Sequence, residues 1–327
     1  MKKLIAKEKN QVVNFQGNIE STKEWINQTL QKTHKEMVEL FNIDFTYFRD
    51  IKIIKQPELL KHLVERMRKD LRENGIVYNG IQWKQIFKNL SKNQVTDFFQ
   101  NFTFYNPKDE VLYINEEIIM NYPEKIISIC THELSEKLLS TYLSPRQEAP
   151  IHELVKTYIE AKKTNNTTKL HELLDIYINT VFRSVFKEGC CEAIAIQTLR
   201  SIGYELETAS LEKELLLGNL KCIKILFTIG NKRGGKRAKK AEMRLRYERQ
   251  GAQAVNEESL VKEVLRSSQI IKGLSYYLGY PLAKAVLEKY GIKGVKLALE
   301  KSPPLEAQYF ADPQKYLALL EKLQTVN

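Results

Sequence analysis

A histidine and two glutamates are spaced for metal chemistry in the pentad His132-Glu133-Leu134-Ser135-Glu136. On an α-helix, residues four apart lie on one face, so the side chains of His132 and Glu136 can converge on one ion. Glu133 would then lie beside that ion. The pattern allows a divalent-metal site on a helix.

Such a site needs one more protein ligand, and Glu188 in the pair Glu188-Gly189 is the best candidate. A glycine inside a helix costs about 1 kcal/mol relative to alanine, so it indicates that another backbone approaches closely there. We expect that backbone to belong to the motif helix, defined here as the helix that carries the pentad. Glu192 lies one turn beyond Glu188 and is expected to accept a hydrogen bond from His132.

The sequence before the pentad predicts the elements that would position it. Strand-forming residues over Phe102 to Tyr105 and over Val111 to Ile114 flank the turn Asn106-Pro107-Lys108-Asp109, which indicates a β-hairpin. Pro123 suits the first turn of a helix, so we expect the motif helix to run from there to about Ser140. The predicted order is therefore a hairpin followed by the motif helix.

Helical spacing of apolar residues dominates the rest of the chain, and only 14 glycines and 9 prolines interrupt its 327 residues. We predict an α+β fold that is predominantly α-helical, with a small β-hairpin or sheet beside the motif helix. Residues 1–98 are predicted to form an N-terminal helical region, and residues 99–327 to form the domain that holds the pentad. Separate helices are expected over 169–182 and 184–201, and a helix end is expected before Pro281.

Four short segments, taken in order, resemble the gluzincin-type, zincin-like metallopeptidases, and among them a little-characterised prokaryotic branch. They are Phe104-Tyr105-Asn106-Pro107 with Leu112-Tyr113, the pentad, Glu188-Gly189, and the stretch from Pro303-Pro304 to Lys315-Tyr316. The resemblance implies a zincin-like domain over residues 99–327. It also implies His132, Glu136 and Glu188 as metal ligands and Glu133 as the general base in peptide-bond hydrolysis.

The chain departs from the family pattern in three places, one of which is the missing Ser-Thr pair of the C-terminal segment. The family motif is H-E-x-x-H, and Glu136 stands where its second histidine would be, while Ala311 replaces a histidine of the C-terminal segment. A second carboxylate on the ion lowers its Lewis acidity, so hydrolysis should be weakened or lost. Zinc remains the first expectation for the ion, and the oxygen-rich ligands also suit Mn or Fe. The alternative is a site without metal, in which Glu136 pairs with Lys137 or another basic side chain.

The cysteines and the N-terminus indicate where the protein works. Four cysteines are too few for a disulfide framework, and we interpret Cys130, Cys190 and Cys191 as small buried apolar residues rather than as ligands or nucleophiles. The N-terminal stretch MKKLIAKEKNQ lacks the apolar core of a secretory signal, and no later stretch has an uncharged run long enough to span a membrane. We therefore expect a soluble cytoplasmic protein.

Much of the net charge of +11 is concentrated in a basic insertion at residues 231–250. This segment has nine basic and two acidic residues, which gives 9 − 2 = +7. Basic residues at such density can neutralise phosphates and bind polyanions in a salt-dependent way. The candidate contacts are Lys232, Arg233, Lys236, Arg237, Lys239, Lys240, Arg244 and Arg246. Two hypotheses therefore stand: a metal-dependent hydrolase with a peptide or protein substrate, and an inactive scaffold that binds nucleic acid or another polyanion.

Overall fold

A computed structural model describes residues 19–59, 61–62, 65, 103–144, 167–230, 257–304 and 306–325. These residues are mainly helical and include one three-stranded sheet, which agrees with the predicted α+β class. They divide into two compact units. The first unit holds the described residues from 19 to 144 with 167–174 and 191–212, and the second holds 175–190, 213–230, 257–304 and 306–325. The predicted domain boundary at residue 98 lies outside the described residues.

The elements follow one another in a simple order. The first unit begins with helix α1 and the three strands, which are α1 Ile19–Phe41, β1 Asp50–Ile54, β2 Thr103–Asn106 and β3 Val111–Asn115. A short helix α2, a 3-10 turn and the motif helix α3 come next, at Glu116–Asn121, Pro123–Lys125 and Ile126–Tyr142. The remaining helices are α4 Thr167–Ser201, α5 Glu205–Gly230, α6 Glu257–Glu300, α7 Ala307–Ala311 and α8 Pro313–Thr325.

The sheet has the strand order β1-β3-β2, with β3 in the centre. Strands β2 and β3 form the predicted hairpin and pair antiparallel, and Phe104 stands opposite Tyr113 with the two rings stacked 5.0 Å apart. Strand β1 pairs parallel to β3, with Ile51 opposite Leu112. The sequence predicts only helices for this part of the chain, and the structure adds β1, which pairs with the backbone groups on the second edge of β3.

Polar side chains close the hairpin turn. Asn106 accepts a hydrogen bond from the Lys108 amide, and Asp109 accepts one from the amide of Val111. Both are local side-chain turns of the kind that asparagine and aspartate favour. Glu110, the last turn residue, has a φ of 57°, which places a non-glycine residue in the left-handed region. A contact from the motif helix holds this residue, as described below.

The motif helix begins after Pro123, as predicted, with a 3-10 turn before the α-helix proper. Its apolar face is fully buried and includes Ile126, Leu134 and Leu138. Helix α1 packs against this helix and against β1, and the motif helix packs against β2. The pentad is therefore held in the core of the first unit, between the sheet and α1.

Helices α4 to α8 correct two of the predicted boundaries. Helix α4 is continuous where two helices were expected, because no glycine or proline lies between residues 182 and 184 to end it. Helix α6 also continues through Pro281, where complete burial of Leu282 and Ala283 offsets the lost backbone hydrogen bond. Its interruption comes later, at Gly291 with a φ of 62°.

Candidate functional site

His132 and Glu192 meet in the first unit, one from the motif helix and the other from α4. The distance from His132 Nδ1 to Glu192 Oε1 is 2.9 Å, and the two side chains are only 8% and 12% exposed. The distance is that of an ion pair, whereas the angle at the ring nitrogen does not meet hydrogen-bond geometry. In the neutral tautomer that carries its proton on Nδ1, the lone pair of Nε2 is the ligating position of the imidazole.

Glu133 faces the sheet. Its Oε2 accepts a hydrogen bond of 2.9 Å from the backbone N–H of Tyr105, in the edge strand β2. A backbone N–H on the edge of a sheet has no strand partner on that side, so a carboxylate is a suitable acceptor for it. This contact fixes one oxygen of the residue that the sequence indicates as general base.

Glu136 lies one helical turn after His132, on the same face of the motif helix. Its carboxylate is close enough to Tyr105 to act on the phenol. Burial raises the pKa of Tyr105 to about 12, and the negative charges of Glu110, Asp109 and Glu136 add to the effect. Tyr105 therefore stays protonated over the ordinary pH range and can act only as a neutral group.

Lys137 is a buried lysine that contacts three segments of the first unit. Its Nζ donates hydrogen bonds of 3.0 Å to the backbone carbonyl of Tyr47 and to Glu110 Oε1. It also lies 5.2 Å and 5.8 Å from the ring centroids of Tyr105 and Phe48. Lys137 pairs with Glu110 and not with Glu136, so that part of the metal-free alternative is wrong, whereas pairing of Glu136 with another basic side chain stays a prediction. The hydrogen bond and charge of Lys137 lower the pKa of Glu110.

The glycine after Glu188 does mark a close approach of two backbones, but the partner differs from the one expected. A Cβ built on Gly189 would lie 2.1 Å from the carbonyl carbon of Gly279 in α6. The expectation that the motif helix fills this place was wrong, since it rested on the pentad alone and ignored the glycine of α6. Glu188 itself is partly buried in the second unit, one turn before Glu192 along α4.

The cysteines near the pentad are buried thiols. All four cysteines of the chain are free and buried, in agreement with their interpretation as small apolar residues. Burial raises the pKa of Cys130 well above its usual range, and the carboxylate of Glu133 adds to the effect. Burial likewise raises the pKa of Cys190. Neither thiol has the lowered pKa that a nucleophile or an easily formed thiolate ligand requires.

The predicted site residues are thus only partly assembled. His132 and Glu192 are brought together, and Glu133 is anchored on β2. Among the described residues, no three His, Cys, Asp or Glu side chains converge closely enough to hold a metal ion. The eight basic residues predicted to contact polyanions, from Lys232 to Arg246, lie outside the described part of the chain.

The sequence did not predict the contacts of three residues around the pentad: Tyr105, Glu110 and Lys137. Lys137 follows Glu133 by one helical turn, so its place on the same face could have been read from the spacing. Nothing local links it to Glu110, which is 27 positions earlier in the chain. That contact depends on how the hairpin packs on the motif helix.

Comparisons with known proteins gave no match to a family model, to a curated protein or to a solved structure. None of the described helices is both long enough and apolar enough to cross a membrane.

Proposed function

We propose that this protein is a metal-dependent hydrolase of the zincin-like metallopeptidase type, with its site on the motif helix. The contact between His132 and Glu192 is the observation that supports this most directly. Histidines that bind metals commonly present their second ring nitrogen to a carboxylate, which fixes the ring and raises its basicity. A nearly buried histidine with such a partner, one turn before Glu136, has the donor chemistry of a metal ligand.

His132 and Glu136 would supply two ligands, and Glu188 is the third by resemblance. One imidazole and two carboxylates suit zinc, and they also suit the harder ions Mn and Fe(II). Because the described residues hold no ready group of three ligands, we expect the carboxylate side chains to move onto the ion when it binds. The two negative charges lower the Lewis acidity of the ion, so any hydrolysis should be slow.

A bound ion would supply Lewis acidity to a water molecule and to the scissile carbonyl. Glu133 would take the proton in this reaction. The N–H of Tyr105 holds its Oε2 and so orients the carboxylate for this role. The role of Glu192 is to hold the His132 ring, and it does not contact the substrate in this proposal.

Metal content and affinity test the proposal directly. Protein purified without added metal should contain a transition metal or should take up one equivalent on titration with Zn, Mn or Fe(II). Glu192→Gln should weaken the affinity about 10- to 100-fold, the effect typical of residues that orient a metal-binding histidine. Glu133→Gln should retain the metal and lose activity against a peptide library.

A matched control is Glu212→Gln, because Glu212 also pairs with a cationic side chain, Arg200, in the first unit and is 15% exposed. This variant should leave metal affinity unchanged. Protein that neither contains metal nor takes it up would rule out the proposal. Activity that survives Glu133→Gln would rule out the assigned base while leaving the metal site intact.

The second candidate function is polyanion binding by a catalytically inactive scaffold, and the charge of +7 in residues 231–250 favours it. Neutralising Lys236, Arg237, Lys239 and Lys240 should abolish a salt-dependent gel shift with nucleic acid. An unchanged shift would exclude the basic insertion as its source. This test is independent of metal binding, so both functions can be assessed on one preparation.

A further inference from the structure

The motif helix contacts Tyr105 of β2 at two points. Glu133 accepts the backbone N–H of Tyr105, and one turn later Lys137 places its ammonium 5.2 Å from the centre of the Tyr105 ring. Residues four apart share one helix face, so both contacts reach the strand from the same side. The position of Tyr105 relative to the helix is thus set jointly by a carboxylate and an ammonium group.

Lys137 is anchored independently of Tyr105. Its Nζ is bound by the Tyr47 carbonyl, from the segment between α1 and β1, and by the carboxylate of Glu110, from the hairpin turn. Only 5% of the lysine side chain is exposed, so its charge is almost fully removed from water. A buried ammonium needs such partners in good geometry. Its position is therefore fixed more tightly than that of an apolar side chain of equal size.

Glu110 is held in turn by the residues around it. Its backbone carbonyl accepts the Arg49 amide at 2.8 Å, and its Oε1 accepts the Thr46 hydroxyl at 3.3 Å. Its φ of 57° is unfavourable for a residue with a Cβ and persists only where neighbouring contacts enforce it. The turn, the lysine and Tyr105 therefore form one connected arrangement against the motif helix.

We infer that Lys137 is a positioning residue that fixes the carboxylate of Glu133 through Tyr105. Its ammonium holds the Tyr105 ring against the helix, and the backbone N–H of Tyr105 then holds Glu133 Oε2. The catalytic meaning of this arrangement rests on the proposed function, whereas the physical link between Lys137 and Glu133 does not. Lys137 touches neither substrate nor metal in this scheme.

Amide hydrogen exchange at Tyr105, followed residue by residue by NMR, tests the link. Lys137→Met keeps the length of the side chain and removes its charge, and it should speed exchange of the Tyr105 amide by at least about tenfold. Glu133→Ala should have a similar effect, and the double variant should add little to either single change, because both break one chain of contacts. Amides of β3 that pair within the sheet should remain protected.

Lys289→Met is the matched control, since Lys289 pairs with Glu321 and lies 5.1 Å from the Tyr290 ring in the second unit but is 42% exposed. It should leave Tyr105 exchange unchanged. Lys137→Arg should restore part of the protection. If Lys137→Met misfolds, Glu110→Asp keeps the counter-charge of the buried ammonium, shortens the anchor, and should give the same selective loss at Tyr105.

Tyr105 exchange that stays at the wild-type rate in the Lys137 or Glu110 variant would overturn the inference. Uniform acceleration across the first unit would also overturn it, because it would mean that Lys137 only stabilises the fold. Metal affinity should not change in Lys137→Met, and in an active preparation kcat should fall while KM stays constant. A wild-type protein that binds no metal would refute the proposed function and leave the exchange result standing.

Discussion

The motif helix in the first unit and the contact between α4 and α6 in the second unit differ in what they bury. At the α4–α6 contact, Gly189 and Gly279 let two backbones meet without side chains between them. On the motif helix, His132 and Lys137 are buried, and each contacts a carboxylate, that of Glu192, which is 12% exposed, and that of Glu110, which is 46% exposed. Both regions are packed, and the buried histidine and lysine of the described residues lie on the motif helix.

This difference distinguishes a packing contact from a region that desolvates charge. Close backbone packing stabilises a fold without desolvating any charge, whereas buried ion pairs often contribute little net stability and are frequently replaceable by apolar residues. A buried histidine and a buried lysine on one helix, each with a carboxylate partner, therefore make this helix the better candidate for a role other than stability. Variants that act on one region at a time test this difference.

The largest effect is expected for Gly189→Ala. The new methyl group would overlap the backbone of Gly279, which cannot rotate away, so we expect a destabilisation of about 3 kcal/mol in chemical unfolding. Gly218→Ala is the control, because its methyl group would meet the Tyr277 ring, a side chain that can move, and about 1 kcal/mol is expected. Equal costs for the two variants would contradict the tight α4–α6 contact.

The second-largest effect is a difference in stability between variants of Glu110 and variants of Lys137. Glu110→Gln should destabilise the protein more than Lys137→Met, although Glu110 is 46% exposed and Lys137 only 5% exposed. Loss of the carboxylate leaves a buried ammonium without its counter-charge, whereas loss of the lysine leaves a carboxylate that water can solvate. Urea midpoints of both variants measure this order, and the reverse order would mean that Lys137 reaches water.

A smaller effect is expected from pH. The pKa of Glu110 is lowered from its ordinary value of 4.5 by the hydrogen bond and charge of Lys137. A lowered carboxyl pKa adds stability above the unfolded value, and this stability is lost as the pH falls through the folded value. The gap in Tm between the wild type and Glu110→Gln should thus be full at neutral pH and should close below pH 4.5. A gap that persists in acid would contradict the charge contribution.

The smallest effect is expected on the thiols, which should not react at all in the native protein. Burial raises the pKa of Cys130 in the first unit and of Cys190 in the second, so iodoacetamide at about pH 8 should leave both unmodified. Mass spectrometry of native and urea-unfolded protein measures the labelling. Rapid native labelling of Cys130 alone would show that the region beside Glu133 opens to solvent.

Local patterns in the sequence were sufficient for the hairpin and the motif helix. The Asn106-Pro107 turn and the alternation around it specify β2 and β3, and Pro123 specifies where the motif helix begins. Strand β1 has no such local signal. Its pairing partner β3 lies beyond residues 55–110, and the pairing depends on the tertiary fold.

The site was predictable to a similar degree. Spacing alone placed His132 and Glu136 on one helix face, and it gave Glu192 as the partner that the structure brings to His132. Gly189 correctly indicated a close approach, yet its partner is Gly279, about 90 residues later, and only packing of the helices selects it. The contacts of Lys137 also join residues far apart in the chain, so they cannot be predicted from the pentad.

The central position of β3 has a consequence for how the chain folds during synthesis. The hairpin of β2 and β3 closes locally, on the microsecond scale typical of hairpins, and the motif helix follows it almost directly. Strand β1 leaves the ribosome earlier and must wait for β3 before its edge is paired. During that interval its backbone is exposed to other nascent chains, so translation speed over residues 55–110 should influence the yield of soluble protein.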